Sequence, residues 1–170
     1  AFLVGPFFGV FGQIYQTGAN TYDLFFGWVV FIIIWVIAID FAPLWLLFVV
    51  LINVTLSLYA DQIATDWSYG FMMMLHFGLN GLALLLTLLR SHFTSENIYP
   101  EWLPKLLGLA AVVYATIACG HEVIDNDSGL LLLVIPLTLI SYGVTTIFAF
   151  KQQELYYLAL MSFSTIAIVT

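Results

Sequence analysis

The sequence predicts an all-α fold, a polytopic bundle of about seven transmembrane helices. Three observations carry that prediction. Of 170 residues, 63% are hydrophobic and only 8% are charged, with a mean hydropathy of +1.07; a soluble domain carries roughly 25% charged residues. The apolar runs are long and continuous, which excludes the alternating strands of a membrane barrel. A bilayer offers no water to backbone polar groups, so helices are the spanning structure that remains.

Seven runs read as helices, over about 1–16, 24–39, 43–60, 69–90, 103–119, 129–150 and 155–170. A span needs about 20 apolar residues, so the first, second and last are short and the second draws on its flanks. "IDFAPLW" leaves Asp40 to Ala42 before Pro43. Proline suits a first helical turn, so helices two and three form a tight antiparallel pair. "SHFTSENIYPEWLP", Ser91 to Pro104, reads as a structured connection with Tyr99 and Trp102 as interfacial anchors. "CGHEVIDNDSG", Cys119 to Gly129, reads as turn chemistry. Pro136 should kink helix six. The chain opens on Ala1 and closes at Thr170 inside an apolar run; the expectation is a single transmembrane domain, 1–170, cut from a longer membrane protein.

Charge gives orientation. Arg90, Lys105 and Lys151 are the only basic residues, against ten acidic ones, for a net charge of −7. With seven helices, all three fall on one side, which the positive-inside rule makes cytoplasmic. The connections at 91–103 and 151–154 are then cytoplasmic, and the outer face is acidic. No basic patch exists for nucleic acid; the expected partners are the lipid bilayer and other helices of the same full-length protein. The single cysteine, Cys119, cannot form an internal disulfide.

Polar side chains within the spans need partners or a wet cavity. Gln13 and Gln16 close helix one at i, i+3, Asn53 lies in helix three, and His76 and Asn80 form an i, i+4 pair in helix four. All five fall from the midplane outward and form a candidate ligand-binding set, open to the acidic face beside His121 and Glu122. The competing reading makes these groups interhelical packing glue, worth about 0.6 kcal/mol each. Gly78 and Gly81 straddle the pair on helix four and would let another helix approach closely, which favours packing. Met72 to Met74 read as interfacial filler.

His121, Glu122, Asp125 and Asp127 supply enough ligand atoms for a divalent ion, yet the pattern matches no metal motif. "HEVID" lacks the second His of H-E-x-x-H, and the loop lacks the glycine placement and closing glutamate of a calcium loop. No nucleophile or phosphate-binding motif stands out, no catalytic residue is assigned and no cofactor is called for. Ser141, Thr145, Thr146, Ser162 and Ser164 can bond back to helix carbonyls.

"GQIYQTGANTYDLF", Gly12 to Phe25, resembles the hallmark of a prokaryotic family of predicted integral membrane proteins, domain of unknown function 2157. In that family a helix ends in Gly-Gln-Ile-Tyr-Gln-Thr-Gly, and a short loop leads to an Asp/Tyr-Leu-Phe helix start. "LWLLFVVLINVTLSLY", Leu44 to Tyr59, is similar to the family's Trp-rich helix. The resemblance covers residues 12 to 59 and implies a multi-pass protein of a prokaryotic inner membrane, with no activity attached. Two functions follow as expectations: a small-solute or ion binder or transporter using an outward-facing polar pocket, and a structural or assembly module without a ligand. An intramembrane enzyme or metal protein ranks behind both.

Overall fold

The computed structural model describes residues 3–15, 20–93, 99–125, 128–152 and 154–169. These residues are helical throughout, apart from short connections. The helices are α1 (Val4–Tyr15), α2 (Thr21–Ala38), α3 (Ala42–Gln62), α4 (Tyr69–Phe93), α5 (Trp102–Asp125), α6 (Ser128–Gln152) and α7 (Leu155–Val169). Four are long and apolar enough to cross a membrane: Thr21–Ala38, Ala42–Gln62, Tyr69–Arg90 and Trp102–Ile124. Apolar stretches in α6 and α7 are shorter, Leu132–Ile147 and Leu155–Val169. Ile34 and Ile37 of α2 and Leu139 and Ile147 of α6 are each exposed over about two thirds of their surface. In water such faces would drive association; in a bilayer they are solvated by lipid. The chain is an all-α membrane protein.

The helices divide into two compact units, one built on α1, α2 and α3 and the other on α4 to Arg90, α5, α6 and α7. In the first, α2 and α3 form the expected antiparallel pair. Ile39 closes α2 by donating its N–H to Trp35 O at 2.9 Å, and Phe41 caps α3 just ahead of Pro43. Ile32, Val36, Leu44 and Leu51 fill the seam, with Trp28, Trp45 and Phe48 packed around them. At the far end of the pair the Tyr22 N–H donates to Gln62 Oε1 at 3.3 Å, and Tyr22 meets Tyr59 edge to face. Helix α1 crosses α2 where Gly5 leaves room for the Trp28 ring.

The second unit is built on α5. Helix α4 runs antiparallel to it, with Tyr69 beside His121, His76 beside Tyr114, and Phe77 packed on Ala111 and Ala115. Helix α7 runs parallel to α5: Gly108 faces Tyr157, and Tyr156 donates its hydroxyl to Lys105 O at 2.9 Å. Lys105 and Glu154 pair at 3.9 Å across the same end.

One boundary differs from the sequence expectation. Residues Cys119 to Asp125 form the last two turns of α5, and α6 begins at Ser128; 126–127 lie outside the described residues. Turn-forming composition is overridden because Glu122 is packed against α4, and tertiary packing supplies most helical stability. Helix α6 continues through Pro136.

Candidate functional site

The chemistry gathers where α4 begins and α5 ends. Ser68 caps α4, its Oγ accepting the Phe71 N–H at 3.2 Å and its carbonyl the Met72 N–H at 3.1 Å. Gly70 thus lies in the first turn, where unpaired N–H groups and the helix dipole favour an anion. Glu122 fills this place. A side chain built on Gly70 would collide with its Oε1, and the carboxyl carbon would stand 2.7 Å from the new Cβ. Glycine here is what allows the glutamate in.

Glu122 is 2% exposed, and its Oε2 has no hydrogen-bond partner among the described residues. Its Oε1 lies 3.9 Å from His121 Nδ1. That is too long for a direct hydrogen bond, but close enough for one to form with a small side-chain rotation. The His121 side chain is 30% exposed and its ring lies 5.0 Å from that of Tyr69, centroid to centroid. One side chain of the pair is therefore sealed in and the other reaches the surface.

Below them Met73, Ala118, Cys119 and Val134 form an apolar plug. Cys119 Sγ lies 3.4 Å from Thr138 Oγ1, which donates in turn to Val134 O at 2.8 Å. Deeper still, His76 is 1% exposed and its ring packs on Tyr114 at 4.8 Å. His76 Nδ1 stands 2.8 Å from Met72 O; a carbonyl only accepts, so Nδ1 carries the hydrogen. Asn80, 2% exposed, donates to His76 O at 2.8 Å.

The residues expected from the sequence to bind a ligand fare unequally. His76 and Asn80 lie together on one buried face of α4. Asn53 belongs to the other unit, where its Nδ2 donates to Val49 O at 2.8 Å. Gln13 lies within α1 but its side chain is outside the described set, as is the whole of Gln16. Of the four metal candidates, His121 and Glu122 are adjacent, whereas the Asp125 side chain and all of Asp127 lie outside the described residues. Among the described residues no three His, Cys, Asp or Glu side chains gather to hold a metal.

Two sequence readings need correction. A Cβ on Gly78 or on Gly81 would meet no described atom within 4 Å, so neither marks a close helix approach. Ser141, Thr145 and Ser162 do bond back to their own helix, but Ser164 does not stand with them. It joins three helices, its Oγ 2.6 Å from Thr116 Oγ1 on α5 and hydrogen-bonded to the Tyr142 hydroxyl on α6. Thr116 donates to Val112 O at 2.7 Å, so Ser164 donates to Thr116 and accepts from Tyr142. The chain of donors ends on a backbone carbonyl, which has no proton to pass on. It is a lock between helices.

An open cleft of about 530 Å³ runs between α6 and α7, past Phe150, Leu158 and Met161. Of the hydroxyls on its wall, Thr146, Ser162 and Thr165, the last two donate to Leu158 O and Met161 O. It offers no ionisable group. Set against known proteins, the chain matches no family model, no curated protein and no solved structure.

Proposed function

We propose that this chain binds a small ion from the outer, acidic side of a prokaryotic inner membrane and passes it into the bilayer region at Glu122. One observation carries the reading: a carboxylate buried to 2% exposure within a span-length apolar helix, one oxygen unpartnered among the described residues. Ionisable groups inside spans are expensive and mark ion pathways by default. Orientation follows from Arg90, Lys105 and Lys151 on the cytoplasmic side, which sets the α4–α5 end outside. Membership of the domain of unknown function 2157 family is part of the same proposal, resting on Gly12 to Phe25 and Leu44 to Tyr59.

The test is ion flux into liposomes holding the full-length protein, followed with dyes for protons, sodium and potassium. Flux above that of empty liposomes, abolished by Glu122→Gln, is the expected result. A folded wild-type protein without ion flux, or a Glu122→Gln variant that conducts equally, overturns it.

The second reading, a structural or assembly module, is favoured by the Tyr142–Ser164–Thr116 lock and by the back-bonding of Asn53, His76 and Asn80 within their own helices. The lock holds α5, α6 and α7 in register, and the back-bonds give the other three a partner without a ligand. Under it Glu122 is only the anion that settles the start of α4, and no ion moves.

A further inference from the structure

The identity of the ion can be argued from the space and the donors at Glu122. An alkali or alkaline-earth cation replaces its water with about six or more oxygen ligands. Among the described His, Cys, Asp and Glu side chains the site gathers one carboxylate and one imidazole nitrogen, 3.9 Å apart, and no third such side chain joins them. The space made by Gly70 is occupied by Glu122 itself, whose Cγ would stand 3.2 Å from any Cβ added there. A proton needs one oxygen and no volume.

We infer that the ion taken up at Glu122 is a proton, and that His121 is the side chain through which it arrives. This rests on the reading of Glu122 as the ion site. His121 reaches from the surface, at 30% side-chain exposure, to within 3.9 Å of a carboxylate exposed at 2%. A small rotation closes that gap to hydrogen-bond length. A proton then arrives on the exposed edge of the imidazole while Nδ1–H passes its own to Glu122 Oε1. The imidazole ends neutral, the carboxylate becomes a carboxylic acid, and no electrons move. Histidine suits this relay because it exchanges protons near neutral pH.

The other groups facing the pair do not compete for this role. From α4, Tyr69 stacks on His121, and His76 lies two turns further in, its Nδ1 held by Met72 O. On α5 itself, Cys119 lies one turn inward beside Thr138, and Asp125 one turn beyond, its side chain outside the described set. Around Cys119, helix α6 contributes Val134 and Thr138 and helix α7 contributes Ile168, none of which titrates.

The decisive experiment is infrared difference spectroscopy on the full-length protein in lipid, stepped between acid and alkaline pH. A protonated-carboxyl stretch should rise and fall reversibly, shift on 13C-carboxyl labelling of glutamate, and vanish in Glu122→Gln. The isotope shift needs no variant and survives if Glu122→Gln fails to fold. His121→Asn should keep the band but slow its appearance after a pH jump by about a hundredfold, the low end for an assisted proton transfer. An unaltered rate removes His121 from the path. A carboxylate band that ignores pH but responds to sodium or potassium chloride overturns the proton and keeps the ion site. Indifference to both overturns the two readings together.

Discussion

Glu122 on α5 occupies the space that a side chain on Gly70 of α4 would need. The contact fixes the register of the two helices where α4 begins and sets a carboxylate against the first turn of α4. Any residue larger than glycine at position 70 must push the carboxylate out or part the helices. Gly70→Ala should therefore destabilise the protein by about 1–3 kcal/mol, the range for overpacking a filled core. Thermal unfolding of the full-length protein in detergent reads this directly. Adding Glu122→Ala should return part of the loss, about 1 kcal/mol of pairwise coupling. Strict additivity would mean the two positions do not meet.

The other glycines give an ordered series. A Cβ on Gly108 would stand 3.0 Å from the Tyr157 ring, which must give by only a few tenths of an ångström. Gly108→Ala should thus cost less than Gly70→Ala. At Gly78 and Gly81 a methyl group meets no described atom within 4 Å, and alanine relieves the helix of glycine's conformational freedom. Each should gain about 0.5–1 kcal/mol. The melting temperatures should fall in the order Gly78→Ala, wild type, Gly108→Ala, Gly70→Ala; a loss at Gly78 would restore it as a helix-contact position.

How far the sequence carries depends on what each feature rests on. The seven helices were legible because their apolar runs exceed 15 residues and the bilayer allows no alternative. The α2–α3 hairpin was legible because Pro43 and the short connection leave the chain one way to turn. The end of α5 was not, since Gly120, Asp125 and Asn126 are turn formers, whereas the packing of His121 and Glu122 against the start of α4 favours the helix through 125. Nor was Glu122 visible as a buried group. In one dimension it belongs to an acidic run resembling a solvated loop, and burial is a property of α4's first turn, fifty residues away. Ser164 failed for a similar reason: a serine in a span reads as back-bonding unless the helices it faces are known.

Ser164 and Ser162 separate the interhelical lock from local back-bonding. Ser164, 5% exposed, ties Thr116 of α5 to Tyr142 of α6, whereas Ser162 is exposed and donates within α7. Ser164→Ala strips Tyr142 of its acceptor and should cost about 1 kcal/mol, toward the upper part of the range for polar contacts between membrane helices. Ser162→Ala should change stability by less than about 0.5 kcal/mol. Tyr142→Phe in the Ser164→Ala background should cost less than in the wild type, because the bond is already gone. Equal effects at 162 and 164 would remove the lock.

The stretch that begins α2 supplies the last case. Asn20 precedes the helix with extended backbone, and its N–H donates to Asp23 Oδ2 at 3.1 Å in the first turn. The carboxylate satisfies a group outside the helix and places negative charge at the positive end of its dipole. Asp23→Ala should therefore cost about 0.5–1 kcal/mol, while Asp23→Asn, which keeps the acceptor without the charge, should cost less. Because Asp23 is only partly buried, the cost of Asp23→Asn, which loses the charge alone, should shrink at high salt as screening shortens the reach of the charge, while the difference between the two variants, a hydrogen-bond effect, should hold. Melting curves at low and high potassium chloride read both effects at once. Should Asn cost as much as Ala at low salt, the charge rather than the hydrogen bond holds this turn.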